Sequence, residues 1–240
     1  MAVNQTVIVT GASQGIGAAI AQAFLGLGYN VVASARSFSD GTFSASQNLA
    51  IVEGDIGLAA TAEQIAQAAI KKFGSIDHVV TSAGIFAVKP FTEYSAEDFR
   101  AFVSTNLEGF IFITQLAVKQ MLAQGSGGSV TSITASLASN PIAGVPAAIP
   151  MITKGGLNAV IRSLASEYAK SNIRFNAVAP GVVDTPLHEK SPKDFIKTLS
   201  PMGTVAEVKD IADAVVYLTQ ARYVTGEVLH VDGGAHSGRW

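Results

Sequence analysis

"TVIVTGASQGIGAAIAQAFLGLG", Thr6 to Gly28, is the stretch that decides the fold. Its first five residues are typical of a strand buried on both faces, and its second half has the pattern of a helix closed by glycine. Between them, Gly11 permits a tight turn, Gly15 lets the backbone approach a phosphate and Gly17 lets the helix pack closely. Such a helix start presents free N–H groups and a positive dipole end to an anion. The stretch therefore predicts a strand–turn–helix unit that binds a pyrophosphate.

The alternation of strand and helix continues along the whole chain. Strands are predicted at 6–10, 30–35, 49–55, 78–84, 128–134, 173–181 and 227–234. Helices are predicted at about 15–28, 61–73, 96–124, 150–170 and 208–219. Apolar strands separated by helices indicate an α/β fold with a parallel sheet covered on both faces. We expect one Rossmann-type, doubly wound domain over residues 1–240, with a nucleotide bound beyond the carboxyl ends of the strands.

Composition excludes several classes of protein. Of the 240 residues only 14% are charged, against about 25% usually, so we expect other copies of the chain to cover part of the surface. The net charge of −2 gives no basic field for nucleic acid or an anionic membrane. The absence of cysteine excludes disulfides, thiol catalysis and zinc–thiolate sites. The start leaves no room for a signal peptide and no apolar run approaches ~20 residues, so a soluble cytoplasmic protein is expected.

Motifs along almost the whole chain resemble those of the short-chain dehydrogenase/reductase family. The resemblance is carried by "TGASQGIG", "TSAG", "TNLEG", "SITAS", "TKGGLNAVIRSLASEYA", "IRFNAVAPGVVDTP" and "VTGEVLHVDGG". It implies a sheet of seven parallel strands, a homotetramer or dimer, and an oxidoreductase that uses a nicotinamide dinucleotide with a small-molecule substrate.

The resemblance also implies which residues bind the dinucleotide. The adenine would lie beside Asp55 and Ile56, and the nicotinamide carboxamide beside the segment from Pro180 to Thr185. The full predicted set is Gly11, Ser13, Gln14, Gly15, Ile16, Gly17, Arg36, Ser37, Asp55, Ile56, Ser82, Ala83, Gly84, Lys154, Pro180, Gly181, Val183 and Thr185. No metal site is predicted.

The end of the second strand favours NADP(H) over NAD(H). An NAD-specific site needs a carboxylate there to accept from the ribose hydroxyls. The sequence has Arg36 and Ser37 instead, and the next acid is Asp40. Arginine can pair with a 2′-phosphate and stack on adenine. A solvent-exposed surface arginine is the alternative interpretation.

Three catalytic residues follow from the resemblance. Lys154 would bind the nicotinamide ribose, Asn106 would hold a water on the proton route, and Ser136 would orient the carbonyl. Thr134 and Ala135 are near alternatives to Ser136 if the loop register differs.

The fourth member of the catalytic set is missing. The family's proton-donating tyrosine lies four residues before the lysine, where this chain has Pro150. Proline fits the first turn of a helix but has no proton to give. The tyrosines, at 29, 94, 168, 217 and 223, are all distant from this position in sequence.

Several hypotheses remain open at this point. In the first, Lys154 or a water chain through Asn106 protonates the carbonyl oxygen. In the second, Ser136 or Thr153 relays a proton to an activated substrate. In the third, no turnover occurs, and the protein is a silent dinucleotide-binding sensor or scaffold. His188 is a further candidate acid. The apolar segments 86–91 and 141–150 suggest a small apolar substrate, or else a subunit interface.

Overall fold

The computed structural model describes residues 4–189 and 191–238. Seven parallel strands form one sheet in the order β3-β2-β1-β4-β5-β6-β7. The strands are β1 (Thr6–Thr10), β2 (Asn30–Ala35), β3 (Leu49–Glu53), β4 (His78–Thr81), β5 (Gly128–Ile133), β6 (Ile173–Pro180) and β7 (Val228–Val231). Chain order reverses between β1 and β4, so ligands are expected at the carboxyl ends of these strands.

Helices cover both faces of the sheet. They are α1 (Gly15–Gly26), α2 (Ala59–Phe73), α3 (Ala96–Phe102), α4 (Gly109–Gln124), α5 (Ala148–Tyr168), α6 (Lys193–Lys197) and α7 (Val208–Gln220). Side chains of α2, α4 and α5 share one apolar core with the sheet, and those of α1 and α7 share the other. The predicted doubly wound, seven-stranded Rossmann-type fold is confirmed.

The long helix predicted at 96–124 is continuous but not uniform. A π-helical segment, Val103–Glu108, separates α3 from α4 and contains the buried Asn106. Over its full span, Ala96–Gln124, the helix is long and apolar enough to cross a membrane, which corrects the expectation that no such run exists. Its residues Phe110, Ile113 and Met121 are buried in the core between α2, α5 and the sheet.

Other boundaries differ from the prediction by short lengths. Helix α2 begins at Ala59 rather than at residue 61, and α5 begins at Ala148 rather than at Pro150. Pro150 therefore lies in the first turn of α5, as predicted. The short helix α6 was not predicted, because its five residues show no helical period.

Candidate functional site

The turn after β1 is built by close backbone approaches that only glycine permits. Gly11 has φ +70°, and a Cβ there would lie 2.7 Å from the Cα of Ala83. A Cβ on Gly17 would lie 2.1 Å from the carbonyl oxygen of Gly11, so α1 packs directly onto the turn. The hydroxyl of Thr10 accepts the N–H of Ala83 at 3.2 Å. These contacts fix the first N–H groups of α1 at the edge of the sheet, where they have no partner within the helix.

A cleft of about 440 Å³ opens in front of this turn at the carboxyl ends of the strands. Its lining contains most of the residues predicted to bind the dinucleotide. The predicted residues that line it are Gly11, Ser13, Gln14, Gly15, Ile16, Gly17, Arg36, Ser37, Ile56, Ser82, Ala83, Gly84 and Thr185. The lining residues that were not predicted are Ser34, Ala35, Ser39, Gly54, Ile85, Thr105, Ile133, Pro186 and Leu187. Most of these directly adjoin a predicted residue in sequence, and that adjacency is the signal that could have found them.

The part of the cleft near β2 has a basic side chain, and no acidic side chain of the described residues lines the cleft. Arg36 is exposed and lines the cleft, and the lining includes no aspartate or glutamate. The nearby carboxylate of Glu53 accepts the N–H of Phe38 at 2.9 Å, so it supports the loop after β2. This charge distribution fits an anionic group near Arg36.

Five predicted cofactor residues lie outside the lining of the cleft: Asp55, Lys154, Pro180, Gly181 and Val183. The carboxylate of Asp55 accepts the N–H of Gly57 at 2.9 Å and closes the turn after β3. Pro180 is the last residue of β6, and the N–H of Gly181 donates to the carbonyl of Val231 at 3.0 Å. Val183 is buried and pairs with Ala206. Binding by these residues stays a prediction.

Lys154, Asn106 and Gly84 meet at one point beside the cleft. Lys154 is buried, and its Nζ donates to the carbonyl of Ile133 at 2.8 Å. A Cβ on Gly84 would lie 3.1 Å from this Nζ and 3.2 Å from Oδ1 of Asn106. Because Gly84, Ile85 and Ile133 line the cleft, the ammonium group lies directly behind its wall. The structure thus brings together two of the three predicted catalytic residues.

Burial controls the charge of Lys154. Desolvation of the ammonium lowers the pKa of Lys154 from its usual 10.5 to about 8. Among the described residues no carboxylate pairs with it, so no opposing charge offsets the cost of burial. At neutral pH Lys154 is therefore mainly protonated, and its neutral fraction grows as the pH rises toward 8.

The side chain of Asn106 supports a backbone segment of the cleft. Its Oδ1 accepts the N–H of Ile85 at 2.9 Å, and its Nδ2 donates to the carbonyl of Ile85 at 3.1 Å. The same Nδ2 donates to the hydroxyl of Thr153 at 3.0 Å, and that hydroxyl donates to the carbonyl of Pro150 at 2.8 Å. Because this hydroxyl already donates its proton to a carbonyl, the arrangement disfavours the predicted relay through Thr153.

Ser136 begins a short 3₁₀ turn directly after β5. It is buried, and its hydroxyl has no hydrogen-bond partner within the described chain. The hydroxyl of Thr134 donates instead to the carbonyl of Val178 at 3.3 Å, and Ala135 has no polar side chain. The hydroxyl of Ser136 thus has no partner among the described residues, although Ser136 does not itself line the cleft.

The resemblance predicts a tyrosine where this chain has Pro150, and the five tyrosines lie elsewhere in the sequence. The hydroxyl of Tyr94 donates to the carbonyl of Ala87 at 2.7 Å, and Tyr29 packs on Phe24. Tyr168 packs on Phe175, and Tyr217 and Tyr223 are exposed. Pro150 itself is buried. The expected position of the acid thus has no titratable group.

His188 lies next to the cleft but not in its lining. Burial and the nearby Lys193 lower its pKa, so the imidazole is mainly neutral at pH 7. Its neighbours Pro186 and Leu187 do line the cleft.

The two apolar segments predicted to form a substrate pocket or an interface contact each other. The N–H of Lys89 donates to the carbonyl of Pro146 at 3.0 Å. The ammonium of Lys89 pairs with Asp98 at 2.7 Å, and the backbone N–H of Lys89 also donates to the hydroxyl of Tyr94 at 3.2 Å. These contacts tie segments 86–91 and 141–150 together beside the start of α5.

Comparison with known proteins places this geometry among dehydrogenases and reductases. A family model described as enoyl-(acyl carrier protein) reductase matches residues 11–236. The chain is 36% identical to the L-rhamnose 1-dehydrogenase (NAD(P)(+)) of Azotobacter vinelandii, over 97% of this chain and 96% of that protein. It is 33% identical to the L-rhamnose-1-dehydrogenase of Scheffersomyces stipitis, over 96% and 95% of the two chains.

Solved structures give the same result. The structure of ElxO with NADP bound superposes with a TM-score of 0.91 at 28% identity, covering 98% of this chain and 100% of the other. The 3-ketoacyl-(acyl-carrier-protein) reductase of Brucella melitensis, complexed with NADH, superposes with a TM-score of 0.88 at 27% identity, covering 97% and 98%.

Proposed function

Because this chain belongs to the short-chain dehydrogenase/reductase family and is an NAD(P)-dependent oxidoreductase, we propose that it interconverts a small apolar carbonyl and its alcohol. In this proposal NADP(H) is the preferred cofactor, and the proton donor is a group other than tyrosine. The observation that carries the proposal is the position of Lys154. Its ammonium lies beside Asn106 and behind the wall of the cleft, four residues after a proline that cannot donate a proton. The relatives are named dehydrogenases and reductases, which favours an enzyme over the silent alternative.

The residues of the cleft fit a dinucleotide. The approaches at Gly11 and Gly17 leave a concave turn beneath free N–H groups, which suits a pyrophosphate. Arg36 and Ser37 would hold a 2′-phosphate, and Ile56 would contact the adenine. Lys154 would bind the nicotinamide ribose. When bound, the nicotinamide supplies or accepts the hydride.

The proton would come from Lys154. With a pKa of about 8, its ammonium is a stronger acid than an exposed lysine and remains protonated at neutral pH. The hydroxyl of Ser136 would orient the carbonyl oxygen, since no other group of the described chain engages it. Asn106 would act by fixing the backbone of Ile85, because both ends of its amide are already hydrogen-bonded.

A small apolar substrate is supported by the two linked segments, 86–91 and 141–150, which supply mainly apolar side chains. Rhamnose appears in the names of two relatives and is polar, so a sugar is the main competing substrate class.

Association with a second copy of the chain is supported by exposed apolar side chains on α4 and α5, namely Ile111, Leu122 and Ile152. The cytoplasmic location stays a prediction.

The test combines binding and turnover. NADPH and NADH are titrated by fluorescence, and oxidation of each is then followed with a panel of small ketones, dicarbonyls and an aldose. We expect turnover of an apolar carbonyl with NADPH. Tight binding without turnover of any panel member would contradict the enzyme proposal.

Arg36→Ala tests the cofactor preference. Removal of one charged contact to the 2′-phosphate should weaken NADPH binding about tenfold or more and leave NADH binding nearly unchanged. Arg100→Ala, on the exposed face of α3, is the matched control for loss of a surface arginine. An equal loss of affinity for NADPH and NADH would show that Arg36 does not bind the 2′-phosphate.

A further inference from the structure

Lys154 is a buried amine with very little to hold its charge. Its Nζ has one hydrogen-bond acceptor in the described chain, the carbonyl of Ile133, and no carboxylate partner. No group of the described chain donates a hydrogen bond to it. In the neutral form, the amine therefore keeps its lone pair free.

The amine also lies close to open space. The carbonyl of Ile133 accepts a hydrogen bond from Nζ, and a Cβ on Gly84 would lie 3.1 Å from Nζ. Both residues line the cleft of about 440 Å³. Gly84 has no side chain to shield Nζ. Pro150, one helical turn before Lys154, contributes no hydroxyl that could compete for a carbonyl oxygen.

We propose that Lys154 captures small uncharged aldehydes as an imine whenever the cleft holds no dinucleotide. The neutral amine adds to the carbonyl carbon, and the resulting carbinolamine loses water to form the C=N bond. The oxygen of the aldehyde leaves as that water, and no oxidant or reductant is consumed. A bound dinucleotide would prevent the reaction, because its ribose would occupy the same side of Nζ.

The neighbours of Lys154 determine which carbonyls fit. Gly84, Ile85 and Ile133 present only apolar or backbone atoms to this end of the cleft. Burial favours an uncharged partner, because a charged group would lose its hydration among these apolar and backbone atoms. Short aliphatic aldehydes meet both conditions.

The test traps the imine by reduction. Dinucleotide-free protein is incubated near pH 7.5 with propionaldehyde and cyanoborohydride, and alkylated lysines are located by peptide mass mapping. With a pKa of about 8 against ~10.4 for an exposed lysine, Lys154 has roughly two hundred times more neutral amine. We expect Lys154 to be alkylated before Lys89, which pairs with Asp98 and is the internal control.

Two further measurements keep the outcome clear. Gly84→Ala places a methyl group 3.1 Å from Nζ and should slow labelling of Lys154 several-fold while labelling of Lys89 is unchanged. Saturating NADPH should suppress labelling of Lys154 in the native protein. Labelling of Lys154 no faster than that of Lys89 would overturn the proposal. Because no step requires turnover, labelling that persists in an inactive protein would count against the proposed function and not against imine formation. Labelling that bound NADPH fails to block would overturn the proposed exclusion of the aldehyde by the dinucleotide.

Discussion

Pro150 is compatible with the helix at its position but cannot act as the proton donor that is predicted there. In the first turn of α5 the N–H that proline lacks has no helical partner, so the substitution leaves the helix intact. Lys154 follows one turn later and keeps its place beside Asn106. The chain thus has a residue with no proton to give where the resemblance predicts a donor, and the helix around that residue is intact.

Pro150→Tyr should restore that donor. A phenol in the first turn of α5 would lie on the same face as Lys154, whose charge lowers the pKa of a neighbouring hydroxyl. We expect kcat for ketone reduction to rise by about 10²–10⁴, measured with NADPH at saturation. Pro150→Phe supplies the ring without the hydroxyl and should give no gain. A tyrosine variant that binds NADPH but gains no activity would show that the pocket has diverged as well.

The pH dependence of reduction should report Lys154. Burial lowers its pKa to about 8, and the protonated form is the donor, so activity should be present below that pH and fall as the pH rises through it. The measurement is kcat/KM for carbonyl reduction from pH 6 to 10. A profile that is flat across pH 8 would exclude the ammonium as the donor, and Lys154→Met should abolish any such step.

At the scale of elements, the π-helical segment and the start of α5 form one hydrogen-bonded unit. Asn106 from the former contacts Thr153 from the latter, and together they hold the backbone of Ile85. Thr153 acts here as a positioning residue, because its hydroxyl contacts Asn106 and the carbonyl of Pro150.

Thr153→Val keeps the shape of the side chain and removes the hydroxyl. We expect KM for NADPH to rise about tenfold, with a smaller change in kcat, because the wall of the cleft is loosened while Lys154 stays in place. Thr153→Ser should restore KM. A fall in kcat with KM unchanged would instead indicate that Thr153 participates in proton transfer.

The sequence predicts most of these elements because their signals are local. The glycine turn, the buried strands and the lysine helix each follow from short patterns, and the structure has them within a few residues of the predicted bounds. The π-helical segment was not predicted, and the contact from its Asn106 to Ile85 joins residues far apart in the sequence. The same holds for the pKa of Lys154, which depends on burial by residues far apart in the chain.

At the scale of the whole molecule, the exposed face of α5 contains two adjacent glycines. Glycine is a poor helix former, so two of them in a row suggest that another backbone or the cofactor approaches this face. Within this chain nothing does, because a Cβ on Gly155 or Gly156 would meet no atom within 4 Å. Close approach by a second copy therefore remains the prediction for this face.

Gly156→Ala tests whether this face of α5 is exposed to solvent or covered by a second copy of the chain. In a protomer that exposes this face, alanine should raise the free energy of unfolding by about 0.5–1 kcal/mol, measured by denaturant unfolding. If a second copy packs there, the variant should instead weaken the oligomer, seen by analytical ultracentrifugation. Gly109→Ala is the control, since its Cβ would lie 2.8 Å from Ile56 and should destabilise the fold in either case.

The bond from the N–H of Lys89 to the carbonyl of Pro146 has a consequence for how molecules reach the reaction centre. It joins segments 86–91 and 141–150 beside the start of α5, and the ion pair to Asp98 anchors them to α3. The opposite side, after Thr185, is linked to α6 by a long, exposed pair between Lys193 and Asp184 at 3.3 Å. We therefore expect cofactor and substrate to enter and leave on the side of residues 186–189 and 191–199, where Pro186 and Leu187 line the cleft. Variants there should change the rates of binding and release more than the chemical step.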